Sequence, residues 1–137
     1  MKLYTAEITV SSSQHKQLID ITDQASDHVR RSGIKEGSCS LYAYGATSAL
    51  MIQENADPAI TLDVVECLRS LVPAGRWRHD RVDSNADAHI QAGIIGPSET
   101  VPVRQGRLGL STWQNVFLCD LDGPRSNRRV QLTIIGE

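Results

Sequence analysis

The run Val116-Phe117-Leu118-Cys119-Asp120-Leu121, then the polar stretch Gly123 to Asn127, then Arg129-Val130-Gln131-Leu132-Thr133-Ile134-Ile135, decides the fold class of this chain. Both runs are rich in apolar and β-branched residues and are bounded by turn residues, which is how strands read. Upstream, Thr100–Val103 and Leu108–Leu110 flank a turn near Gly106 and predict two more strands. At the other end Tyr4, Ala6, Ile8 and Val10 alternate with Thr5, Glu7 and Thr9, the period of a half-buried strand, until Ser11-Ser12-Ser13 breaks it. Leu18, Ile19 and Ile21 predict a short second strand, and this strand-turn-strand start predicts an antiparallel edge. Cys39, Leu41 and Ala43 alternate with Ser38, Ser40 and Tyr42, and Ala49 to Gln53 predicts a further strand.

Helices are inserted among these strands. Thr22 is placed to cap one that stops at Gly33. Asp57-Pro58 opens another, with Ile60, Val64, Leu68 and Leu71 at helical spacing. Ser84 and Asp87 resemble a capping box for a short helix from about Asn85 to Ile95, closed by Gly96-Pro97-Ser98. Strands joined by short turns with two or three inserted helices predict an α+β fold, largely antiparallel, as one domain over residues 1–137.

Composition narrows the function. A formal net charge of −2 gives no field to draw the chain to nucleic acid or an anionic membrane. No stretch approaches the roughly 20 apolar residues of a membrane span, so the cytoplasm is the expected compartment. The glycine patterns of dinucleotide and phosphate loops are absent. Cys39, Cys67 and Cys119 are odd in number, far apart and set among apolar neighbours, which predicts three buried thiols without a catalytic role.

The densest set of functional side chains lies in the loop from Arg76 to Asp83 and the helix after it. His79 and His89, with Asp80, Asp83 and Asp87 nearby, would suit a zinc-like ion, or would serve as surface and capping residues. Arg76, Arg78 and Arg81 would suit an anionic substrate through paired hydrogen bonds, or would pair with the loop's own aspartates in solvent. Capping accounts for Asp57 but not for Glu54, which makes Glu54 the preferred carboxylate candidate. His15 and His28 read as solvent-facing, and Trp113 as core or subunit-interface packing. A triad can be drawn from Ser48, His79 and Asp83, without a nucleophile-elbow pattern to support it.

Four stretches together resemble the YjbQ family: Gln53-Glu54-Asn55-Ala56-Asp57-Pro58, Arg78-His79-Asp80, Ala88-His89-Ile90 with Gly96-Pro97-Ser98, and Gly106-Arg107-Leu108 with Thr112-Trp113-Gln114. The ending Arg128-Arg129-Val130 also fits, and the similarity runs from about Tyr4 to the C-terminus. The resemblance implies a compact α+β domain, a homotrimer, and a histidine-lined cleft near a subunit interface. It implies a divalent metal, zinc or magnesium, and thiamine-phosphate synthase activity, in which a thiazole phosphate captures a pyrimidine diphosphate as pyrophosphate leaves. Carried over by position, His79, Glu54 and Asp80 would be catalytic, His79 and His89 would ligate metal, and Arg78, Arg107 and Arg128 would face phosphate oxygens. A non-catalytic trimer binding a small anionic ligand and a metal-dependent hydrolase are the rival readings.

One position departs from the family. Gly45, in Tyr44-Gly45-Ala46-Thr47-Ser48, stands where relatives usually have a histidine, which would leave two imidazoles and a weakened metal site. Gly45→His should then restore metal affinity, unless Gly45 has a positive φ that histidine tolerates poorly.

Overall fold

The computed structural model describes all 137 residues, Met1–Glu137. Its elements are β1 (Lys2–Val10), β2 (Gln17–Asp20), α1 (Thr22–Ser32), β3 (Glu36–Ala43), β4 (Ser48–Gln53), α2 (Ala59–Leu71), α3 (Asp80–Asp83), α4 (Ala86–Ile95), β5 (Ser98–Arg104), β6 (Arg107–Leu108), β7 (Asn115–Asp120) and β8 (Arg128–Gly136). All strand pairs are antiparallel. The predicted α+β class is therefore the observed one, with a fourth helix, α3, that is a single turn.

The strands form two sheets, ordered β1-β8-β3-β5-β6 and β2-β7-β4. This corrects the antiparallel start: β1 pairs with β8 and β2 with β7, so Ser11-Ser12-Ser13 carries the chain between sheets instead of turning a hairpin. The stretch after β7 does the same, because β8 returns to the larger sheet. A tight hairpin does join β5 to β6, where Gln105 and Gly106 have φ of 52° and 75°, the pair of positive values such a two-residue turn requires.

Burial explains why neighbours in sequence part company. In β8 burial alternates along most of the strand, so the larger sheet has one wet face. In β7 every residue from Val116 to Asp120 is buried, as a strand covered on both faces must be. One face of the smaller sheet, with Leu50, Val116 and Leu118, packs with Leu41, Leu132 and Ile134 of the larger sheet and Ala25 and Val29 of α1. Its other face, with Ala49, Phe117 and Cys119, packs on Val65 and Leu68 of α2 and Ala88 and Ala92 of α4. The outcome is sheet on sheet on helices. Each fully buried large apolar side chain contributes about 1.5–3 kcal/mol to it.

Helix ends follow the sequence in part. α1 stops at Gly33 in the left-handed region, φ 69°, as predicted. Its start is different: Asp20 Oδ1 accepts both the amide and the hydroxyl of Thr22, at 2.9 and 2.5 Å, so Asp20 takes the capping role assigned to Thr22. Asp57 accepts the Ala59 amide at 2.9 Å, as its placement before α2 predicts. The capping box before α4 does not form. Ser84 turns its hydroxyl to Asp80 O, and Asp87 points inward to the ammonium of Lys16, 2.9 Å away.

Cys39 and Cys119 are buried, and loss of solvation pushes their thiols up to about 11 and about 12, with Glu99 adding to the rise at Cys119. Cys67 is exposed, against expectation. Its apolar neighbours Val65 and Leu68 are on the buried face of α2 and Cys67 is not, a distinction that adjacency in sequence hides. Trp113 is 64% exposed and outside the core. His15 is exposed, whereas His28 is half-buried with Nδ1 2.8 Å from Tyr4 Oη. No helix is long and apolar enough to cross a membrane.

Candidate functional site

α4 lies along β4 and places His89 over the link between β3 and β4. His89 Nδ1 is 3.1 Å from Ala46 O. A carbonyl only accepts, so Nδ1 carries the proton, and Nε2 of the neutral ring keeps a free lone pair. His79 arrives from the loop before α3. Its ring centroid is 4.9 Å from that of His89, edge to face at 82°. The two imidazoles are therefore close enough to share one ligand, although they come from different elements.

Asp80 fixes that loop. One carboxylate oxygen accepts the Trp77 amide at 3.0 Å and the other the Ala86 amide at 3.1 Å, so the segment is folded back on itself on either side of His79. Trp77 Nε1 adds a bond to Pro73 O at 2.7 Å. Both Asp80 oxygens thus accept backbone amides, which fixes the loop that carries His79. Arg78 and His79 line a cavity of about 520 Å³ with Trp77, Ala86 and Ile90. Asp83 reaches His79 only at 4.0 Å between exposed groups, a contact that contributes little. Ser48 donates to Tyr44 O at 2.8 Å and not to an imidazole, so the Ser48, His79 and Asp83 triad is not assembled.

Glu54 and Arg107 lie elsewhere. Glu54 follows β4 at the end away from Ser48, on the order of 20 Å along the strand at the usual rise. Its Oε2 accepts the amides of Ala56 and Asp57 at 2.8 and 3.3 Å. Glu54 caps that turn, which supplies the structural explanation its sequence context lacked. Arg107, on β6, lines a separate cavity with Arg30 and Lys35. Arg128 is buried, and its Nη2 donates to Asp120 at 2.8 Å and Thr47 Oγ1 at 2.7 Å.

Gly45 has φ +97°, and a Cβ there would lie 3.2 Å from Arg128 Nη1. A histidine at 45 meets backbone strain and a buried cation together. Gly45→His is accordingly expected to lose about 1–2 kcal/mol, the cost of a left-handed backbone for a side chain with Cβ, with zinc affinity unchanged. Calorimetric zinc titration beside thermal unfolding checks this, and tighter zinc binding by a stable variant would contradict it. No group of three or more His, Cys, Asp or Glu side chains is placed to hold a metal ion. Two imidazoles within one chain fall short of the three protein ligands of catalytic zinc sites.

Sequence reasoning missed two buried charge networks. Lys16 Nζ uses its three donors on Asp87 Oδ2, Gln91 Oε1 and Leu121 O, at 2.9, 2.8 and 3.0 Å. Gln91 passes the connection to the end of α2 by donating to Leu68 O and Val72 O. Asp87 and Gln91 flank His89 on α4, so this network holds the helix that presents the imidazole. In the second, burial alone would raise the Asp120 carboxyl, but hydrogen bonds from Arg128, Ser12 and the Asp122 amide outweigh it and hold the carboxyl below its ordinary value of 3.8. Asp120 had a signal, a lone acid inside the apolar run Val116 to Leu121, whereas Lys16 had none.

Two antiparallel sheets backed by helices, with paired imidazoles where α4 meets a clamped loop, define the class. The family described as UPF0047 protein YjbQ-like matches residues 6–137, and the chain belongs to it. A UPF0047 protein of Methanothermobacter thermautotrophicus is 38% identical, over 100% of this chain and 95% of its own length. One from Archaeoglobus fulgidus is 40% identical over 89% of this chain and 94% of its own. Among solved structures, a YbjQ-like protein of unknown function from Sulfolobus solfataricus P2 superposes with a TM-score of 0.96 at 39% identity, covering 99% of each chain. A hypothetical protein from Aeropyrum pernix K1 gives 0.93 at 38%, covering 98% of this chain and 99% of its own.

Proposed function

We propose that this protein handles a small anionic or phosphorylated ligand in the cleft where His79 and His89 meet, with thiamine-phosphate synthase as the activity to assay first. The observation that carries the reading is the imidazole pair at 4.9 Å with Arg78 lining the cavity beside His79. In that reaction the bond from the pyrimidine methylene to the diphosphate oxygen breaks and a bond to the thiazole nitrogen forms. The need is charge stabilisation on the departing pyrophosphate. Arg78 supplies a fixed cation, and protonated His79 donates a hydrogen bond or a proton to the leaving oxygen. No step here uses a metal ion.

A second reading, a binder without turnover, is favoured by the commitment of both candidate carboxylates, Glu54 and Asp80, to backbone amides. A third, a hydrolase whose ion the two imidazoles would help to hold, would need a further protein ligand from outside this chain. We further propose a homotrimer in the cytoplasm. The wet face of the larger sheet carries no helix and exposes Leu3, Tyr42 and Ile135 at 69%, 48% and 40%, apolar surface that a second copy would cover.

Turnover of the pyrimidine diphosphate with the thiazole phosphate, with and without chelator, is the test, on a sample whose light scattering gives three times the chain mass. Turnover that survives chelation is the expected result. No turnover with retained binding of pyrophosphate favours the binder, and turnover lost on chelation favours the ion.

A further inference from the structure

Arg128, at the start of β8, is 6% exposed, and its five N–H groups are used unequally. Nη2 is satisfied by Asp120 and Thr47. Nε is sealed from solvent with no partner at all. Nη1 makes no hydrogen bond to the protein and faces Gly45, 3.2 Å from where a Cβ would be. Sealing Nε from water without an acceptor costs free energy, whereas Nη1 is not among the sealed atoms and is open to a partner from outside the chain.

The gap at Gly45 is where completion is open. Gly45 is exposed, its φ of +97° suits a residue without a side chain, and Ser48 Oγ is 3.7 Å from the same point. Gly45, Ser48 and His89 also line one cavity of about 310 Å³. Arg128 does not itself line that cavity, but an oxygen seated where the Gly45 Cβ would be is 3.2 Å from Nη1, while His89, whose ring packs on His79, is among the lining residues. An oxygen acceptor with negative charge fits such a donor edge best, through a charge-assisted hydrogen bond.

We infer that the niche at Gly45 is an oxyanion subsite in which Arg128 Nη1, reached through the missing side chain, grips one oxygen of a phosphoryl or carboxylate group beside His89. This rests on the anionic-ligand reading of the His79 and His89 cleft and adds to Arg78 a second anchoring cation, on the His89 side of the imidazole pair. The subsite is open only while residue 45 lacks a side chain. The hydrogen bond that Nη2 donates to Asp120 holds the guanidinium plane in place, so the grip needs no rearrangement.

The test is a ¹⁵N NMR titration of the full-length protein with inorganic phosphate and, separately, acetate, following the Arg128 Nε–H signal and the His79 and His89 rings. The Arg128 signal, assigned by its loss in Arg128→Lys, is expected to shift with phosphate at the same midpoint as His89. Gly45→Ala should weaken that binding at least tenfold; because its backbone is strained, the unmodified protein gives the primary reading. A response to acetate as well as phosphate supports a general carboxylate and phosphoryl site, and a response to phosphate alone a phosphoryl site. Ring shifts without any Arg128 response would overturn the subsite while leaving the cleft reading intact. An Arg128 response at unchanged affinity in folded Gly45→Ala would likewise overturn the subsite alone. Shifts in neither Arg128 nor the rings would overturn both readings.

Discussion

Lys16→Met is expected to destabilise the protein by about 3–5 kcal/mol, the cost of stranding one partner of a buried ion pair. Lys16 and Asp87 have side chains only 2% and 3% exposed, so neither charge can turn to water when the other is removed. The loss reaches further than the pair, because Gln91 Oε1 and Leu121 O surrender their donor in the same substitution. Adding Asp87→Leu should recover part of the stability, since the carboxylate is then no longer buried alone, while the two orphaned oxygens keep the double variant below the original. Urea denaturation at one fixed protein concentration measures both steps, the concentration being fixed because assembly would contribute to apparent stability. A cost below about 1 kcal/mol, the size of an exposed pair, would show that Lys16 is not buried as described.

Asp120→Asn should cost a similar amount at neutral pH, and the difference from the unsubstituted protein should shrink in acid. The sign follows from the direction of the shift: the folded carboxyl titrates below its ordinary value, so its stabilising contribution is fully present above about pH 4 and is lost as pH falls through the lower folded value. Below that point the protein has lost the Asp120 charge by protonation and resembles the variant. Thermal midpoints between pH 3 and 8 give the comparison. A gap that is the same across this range would mean that Asp120 is not the ionised partner of Arg128.

How much of this was legible in the sequence depends on the range of the interaction. Period-two alternation in β1 and β3 marked strands and their wet and dry faces, because the cause is local. The two-sheet topology was not legible, since β1 and β2 part to partners about a hundred residues away or more, at β8 and β7. His79 and His89 drew attention by residue type and context, and folding brings their rings together. Glu54 and Asp80 drew attention for the same reason, yet backbone amides a few residues away take their oxygens, an outcome set by turn geometry that composition does not encode. Lys16 stayed hidden because its three partners come from α4 and the residue after β7, far along the chain.

The central claim is that the cleft of His79, His89 and Arg78 takes a small anion, and calorimetric titration with inorganic pyrophosphate tests it most directly. The protein is expected to bind the anion, and the double variant His79→Ala, His89→Ala to bind it roughly a hundredfold more weakly, as befits the loss of two hydrogen bonds to a charged group at about 1.5 kcal/mol each. Both rings are outside the core clusters, so thermal stability should change little. Equal pyrophosphate affinity in a folded double variant would contradict the account.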